Sequence, residues 1–133
     1  MSKNHRINII GLCAVAIGAL LPLTPALAAD FPIGRYSAGP HVSIVFANDG
    51  QFHVIQDKAM QVSGTYTVKG EKVELTDQKG PWACTKEGAQ TGTYTWKYDN
   101  AVLSFSKVDD PCEDRVGSLT RSVWKQAGKG KAG

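Results

Sequence analysis

Gly92-Thr93-Tyr94-Thr95-Trp96-Lys97-Tyr98-Asp99-Asn100-Ala101-Val102-Leu103-Ser104-Phe105 places an apolar or aromatic side chain at every second position on either side of a polar dipeptide. Alternation of this kind marks a strand with one buried face, because successive side chains of a strand point to opposite sides. Asp99-Asn100 supplies residues that a two-residue hairpin turn favours. Turning there pairs Tyr98 with Ala101, Trp96 with Leu103 and Tyr94 with Phe105, so that all six share one face. A slip of one residue would turn one arm's apolar set outward, and only one parity of pairing avoids it.

Two further hairpins lie upstream. In the first, Val42, Ile44 and Phe46 alternate on the way in, and Phe52 and Val54 on the way out. Pairing Phe46 with Phe52 leaves Asn48-Asp49-Gly50 as the loop, with Gly50 in the left-handed position and His53 and Ile55 on the other face. The second hairpin runs through Gly64-Thr65-Tyr66-Thr67-Val68, turns at Lys69-Gly70 and returns through Val73 and Leu75 on the face of Tyr66 and Val68. Its opening matches Gly92-Thr93-Tyr94-Thr95-Trp96-Lys97, and Gly34-Arg35-Tyr36 repeats the same start. In such a unit glycine lets a neighbouring backbone approach closely and tyrosine turns inward. Gly34 to Ala38 reads as the first strand, and Val116 to Trp124, with Leu119, Val123 and Trp124, as the piece that closes the sheet. The chain is thus all-β, an up-and-down antiparallel meander of about eight short strands, a number that suits a small closed barrel without exposed edges.

The first 28 residues read differently. Lys3, His5 and Arg6 precede the uncharged run Ile7 to Leu21, Pro22 and Pro25 break it, and Ala26-Leu27-Ala28 offers small residues where a signal peptidase cuts. A membrane span is the competing reading, but the run is near the lower limit of length and is interrupted by the prolines. Leu12 is too bulky before Cys13 for lipoprotein processing, so Cys13 leaves with the signal. Residues 29–125 are then the folded domain, 126–133 a disordered Lys/Gly/Ala tail, and the location a periplasm or the exterior. Losing Lys3 and Arg6 lowers the formal charge from +3 to about +1, part of it in the tail, which removes the electrostatic motive for nucleic acid or an anionic membrane. Cys84 and Cys112 remain, and in an oxidising compartment the default is a disulfide. Each lies beside a proline-containing turn, Gly80-Pro81 or Asp110-Pro111, so the bridge ties the connection before the third hairpin to the one after it.

Gly34-x-Tyr36 on a first strand, eight meandering strands, and Arg121 with Trp124 near the end resemble the small bacterial lipocalin-like proteins of the calycin group. The Gly-Thr-Tyr starts, Thr76-Asp77, Gly80-Pro81 with Ala83-Cys84, and Asp110-Pro111-Cys112 followed by Arg115 resemble a recurrent secreted domain of that kind. Tyr36 stands where that group usually has tryptophan. The resemblance implies a barrel, a basic side chain from near the chain's end packed across the first-strand ring, and a bound small apolar molecule.

The residues suggest binding rather than catalysis. His41 and His53 fall too far apart on the first hairpin to share an ion, Asp109-Asp110 reads as a turn, and no serine elbow or phosphate loop is present. No catalytic residue, metal or cofactor is therefore expected. Phe46, Phe52, Tyr66, Tyr94, Trp96 and Phe105 converge on the interior face, where they either fill the barrel or line one end of a pocket, with tyrosine hydroxyls and Gln56 orienting a small apolar or aromatic molecule. The competing expectation is an exported protein inhibitor, of proteases for instance, acting through a loop or the segment Asp30 to Ile33.

Overall fold

The fold is that of a computed structural model, which describes residues 30–128; the expected export signal and residues 129–133 lie outside the described residues. The strands are β1 (Gly34–Ala38), β2 (Val42–Phe46), β3 (Gln51–Gln56), β4 (Ala59–Lys69), β5 (Lys72–Lys79), β6 (Thr91–Asp99), β7 (Val102–Asp109) and β8 (Trp124–Gln126), with one helix, α1 (Glu113–Arg121), before the last strand. Each strand pairs antiparallel with its chain neighbour and β8 pairs with both β7 and β1, closing an up-and-down barrel of eight strands. Among the described residues, no helix is long and apolar enough to cross a membrane. Cys84 and Cys112 form the one disulfide of the described chain, with their Cα atoms 6.4 Å apart.

Alternation explains the interior. Tyr36, Ile44, Phe46, Phe52, Val62, Val73, Leu75, Tyr94, Leu103, Phe105 and Trp124 are all buried in one core. Phe46 pairs with Phe52 and His53 with Val45, as the sequence predicts, and Gly50 adopts φ +82° in the loop. Tyr66 pairs with Leu75 and Val68 with Val73, so these four share a face as expected, and the turn falls on Gly70-Glu71. The Gly-Thr-Tyr glycines have steric reasons: a Cβ on Gly64 would stand 2.0 Å from the Thr76 carbonyl oxygen, and one on Gly92 would stand 2.2 Å from the Asp110 carboxylate.

Several expectations are corrected. The third hairpin turns at Asn100-Ala101, with Tyr98 opposite Leu103 and Trp96 opposite Phe105, two positions from the register read from its pattern. Parity survives the shift, so the inward face is the same. Tyr98 moves to the rim, where it is 41% exposed, and Ala101 enters the turn. The turn places Asn100 at φ +50° and Ala101 at φ +62°, and on the far side of β7 the last strand pairs Lys125 with Val102 and Trp124 with Leu103, the Gln126 amide donating to the Ala101 carbonyl. The piece expected to close the sheet from Val116 is mostly α1, and only Trp124–Gln126 forms strand. β8 reaches Gln126, and the Ala127 amide donates to the Arg35 carbonyl, so ordered pairing runs slightly past the expected boundary. Arg121 is exposed at the end of α1, while Tyr36 packs edge-on against Phe46 and Tyr98, so aromatic rings take the neighbourhood expected for a basic side chain.

Candidate functional site

In an up-and-down barrel successive connections fall at alternate ends. Here the turns at 47–50, 70–71 and 100–101 gather at one end, and the connections at 39–41, 57–58, 80–90 and 110–123 gather at the other. The two ends are closed in different ways.

At the first end the interior is solid. Phe31, 9% exposed, inserts from the segment before β1 and meets Phe46 edge-on at 5.0 Å and Trp96 at 5.1 Å between ring centroids, with Tyr66 at 5.5 Å. Tyr66 donates its hydroxyl to the Ala47 carbonyl, and the Trp96 indole N–H donates to the Gly70 carbonyl at 3.1 Å. Phe105 packs between Phe46 and Tyr94. Aromatic contacts of this geometry stabilise beyond the area they bury.

The other end is hollow. A cavity of about 630 Å³ lies beneath α1 and the 80–84 loop, walled by Val42, Ile44, Phe52, Val54, Val62 and Leu75 from β2 to β5, by Trp124 from β8 and by Leu119 from α1. Pro81, Trp82, Ala83 and Cys84 form one lip, while Asp114 and Ser118 of α1, with Ser122 just after it, form the other. Trp82 is 46% exposed at the mouth. Such a volume, with apolar walls and a few polar groups, falls in the range of small-molecule sites.

A buried ionic cluster holds the lid in place. Arg115, on the inward side of α1, donates from Nε and Nη2 to the two oxygens of Asp110, both at 2.7 Å. Its Nη1 stands 3.1 Å from Asp77 Oδ2, and Nη1 and Nη2 also reach the Gln90 and Ala89 carbonyls at 3.0 and 2.9 Å. Tyr94 donates its hydroxyl to Asp110, the Cys112 amide donates to Asp110 Oδ1, and the Cys84 amide donates to Asp77 Oδ2. The disulfide joins the two amides' residues, so loop, helix and barrel wall form one clamped unit.

The two carboxyls respond in opposite ways. Burial pushes Asp110 upward, but Arg115, Tyr94 and the Cys112 amide together outweigh it and hold the group below the usual carboxylate range. At Asp77 burial prevails over the Cys84 amide and Arg115, and the group is raised. Asp77 Oδ1 is buried without a hydrogen-bond partner. Burial also raises the hydroxyls of Tyr36 and Tyr94 above their ordinary value, Tyr94 with help from Asp110, so both stay protonated donors.

Of the seven residues singled out from sequence as ligand-binding, Phe52 alone lines the cavity. Phe46, Tyr66, Trp96 and Phe105 pack the solid end, Tyr94 supports the ionic cluster, and Gln56 is half-buried where β3 ends, opposite Val42. His41 is exposed and bonded to Asp57 at 2.7 Å, and is not among the cavity's lining residues. Sequence reasoning missed Asp77, Arg115 and the lid residues as a site. A signal existed for Asp77: it continues the inward parity of Val73 and Leu75, where a carboxylate is costly unless partnered.

Comparison of the chain with protein-family models, with curated proteins and with solved structures found no match. The class is therefore defined by architecture: a closed eight-strand antiparallel barrel, solid at one end and helix-capped over a cavity at the other.

Proposed function

We propose that the protein is an exported, lipocalin-like binding module that holds a small, largely apolar molecule in the cavity beneath α1. The observation that carries this reading is the pairing of about 630 Å³ of space with walls of Val, Ile, Leu, Phe and Trp side chains at one end only. A core that needed no ligand would gain by closing over such a space, since unfilled volume forfeits packing energy. Clamping by the disulfide and by Arg115 supports a preformed site, which lowers the ordering cost of binding. The segment Asp30 to Ile33, proposed from sequence as an inhibitory arm, has Phe31 buried in the barrel, which favours the binding module over the inhibitor.

Titration of methyl-labelled protein with 1-methylnaphthalene tests the reading. The methyl resonances of Val54, Val62, Leu75 and Leu119 are expected to shift, with those of Val68 unmoved. Replacing Leu119 by Trp, which fills the space, abolishes the shifts. An absence of shifts, or shifts confined to the Phe31 end, contradicts the proposal.

A further inference from the structure

The cavity's polar side is chemically one-sided. Its lining holds three charged residues, Asp77, Asp114 and Arg115, and Asp110 lies directly behind Arg115. A guanidinium offers five N–H donors. Arg115 makes four hydrogen bonds, from Nε and Nη2 to Asp110, from Nη1 to the Gln90 carbonyl and from Nη2 to the Ala89 carbonyl, and Nη1 also stands 3.1 Å from Asp77 Oδ2 as an ion pair. These contacts commit Arg115 to the protein's own acceptors rather than to a carboxylate or phosphate ligand.

The acceptor side is incomplete in the opposite sense. Asp110 receives Nε, Nη2, the Tyr94 hydroxyl and the Cys112 amide. Asp77 receives its protein donors on Oδ2 only, and Oδ1 has none, although the side chain is just 3% exposed. A buried carboxylate oxygen without a donor carries an uncompensated desolvation cost. Two buried carboxyls share one guanidinium, and Asp114 adds a further negative charge at the lip.

We infer that the molecule held in the cavity is an amphipathic amine: an apolar body among Val54, Val62, Leu75 and Leu119, with a protonated nitrogen donating to Asp77. This rests on the cavity reading given above and adds the ligand's chemical class. A small turn of the Asp77 carboxyl about its terminal torsion, which is soft for this side chain, presents Oδ1 to the space that the residue already lines. Phe52, Trp82 and Trp124 add aromatic faces around the same space, which suit a cation.

Calorimetric titration with three probes of one shape provides the test: 1-naphthylmethylamine, 1-methylnaphthalene and 1-naphthoate. The wild-type protein is expected to bind the amine about tenfold or more tighter than the hydrocarbon, and the carboxylate most weakly. In Asp77→Asn the amine-to-hydrocarbon preference collapses. Hydrocarbon binding with no preference for the amine overturns the inference and leaves the cavity reading standing, whereas failure of all three probes overturns both. An undiminished preference in Asp77→Asn removes Asp77 as the acceptor. Should that variant not fold, the Asp77 carboxyl carbon resonance of the wild type decides: it moves with bound amine and stays with bound hydrocarbon, and an unmoved resonance under saturating amine overturns the inference.

Discussion

At Asp77 and Asp110, two carboxyls around one guanidinium are driven in opposite directions, and the difference lies in how many donors each receives. Asp110 has a folded value below its unfolded one, so its contribution is present above the unfolded value and is lost as pH falls through the folded value. Asp77 has a folded value above its unfolded one, so the native state holds its proton longer and stability falls as pH rises between the two. Asp110→Asn is therefore expected to cost about 3 to 5 kcal/mol at neutral pH, because it leaves Arg115 short of a partner. Asp77→Asn is expected to cost about 1 kcal/mol or less, and to improve relative to wild type as pH rises from about 4 to 7. Urea unfolding of both variants across that range checks the contrast, and equal losses at neutral pH would contradict it. The cluster was only partly legible in the sequence. Thr76-Asp77, Asp110-Pro111-Cys112 and Arg115 stood out as a pattern, but an ion pair between residues far apart in the chain leaves no local period to read.

The elements divide by how much of their signal is local. Hairpin parity was readable because it depends on alternation alone, and Phe46 opposite Phe52 follows from it directly. Register in the third hairpin depended on whether Asp99-Asn100 or Asn100-Ala101 makes the turn, and alternation alone does not choose between them because both keep the same parity. The turn observed places Ala101 at φ +62°, where a Cβ is unfavourable. Ala101→Gly is expected to stabilise the protein by about 1 kcal/mol, measured as a raised urea midpoint at constant slope; a lowered midpoint would argue for a different turn. α1 escaped notice because its buried residues are Arg115 and Leu119 and its middle holds Gly117, so the inward stripe is half charged and the apolar period is broken. The acidic pair Glu113 and Asp114 in its first turn is the signal that was there to find. A Cβ at Gly117 would have no atom closer than 3.9 Å, and Gly117→Ala is expected to gain about 0.5 to 1 kcal/mol by helix propensity.

At the scale of the whole molecule, the closed barrel could be read from strand number and parity, but the location of its empty space could not. Six aromatic residues on one face left open whether they fill the barrel or line a pocket; Phe31, from the segment that the inhibitor reading would use, packs among Phe46, Tyr66 and Trp96 at that end. The hollow end has aliphatic walls, which read as ordinary core, and its lid is the helix that the sequence did not reveal. Phe31→Ala is expected to cost about 3 to 5 kcal/mol by leaving an aromatic-sized void, read by thermal unfolding, and a loss under about 1 kcal/mol would mean that Phe31 is not a plug. The measurement that bears most directly on the barrel being hollow at one end is diffraction from xenon-pressurised crystals, since apolar cavities take up the gas. Xenon is expected beneath α1, among Val54, Val62, Leu75 and Leu119, with none at the Phe31 end; an unoccupied site beneath α1, or xenon among Phe46, Tyr66 and Trp96, would contradict the account.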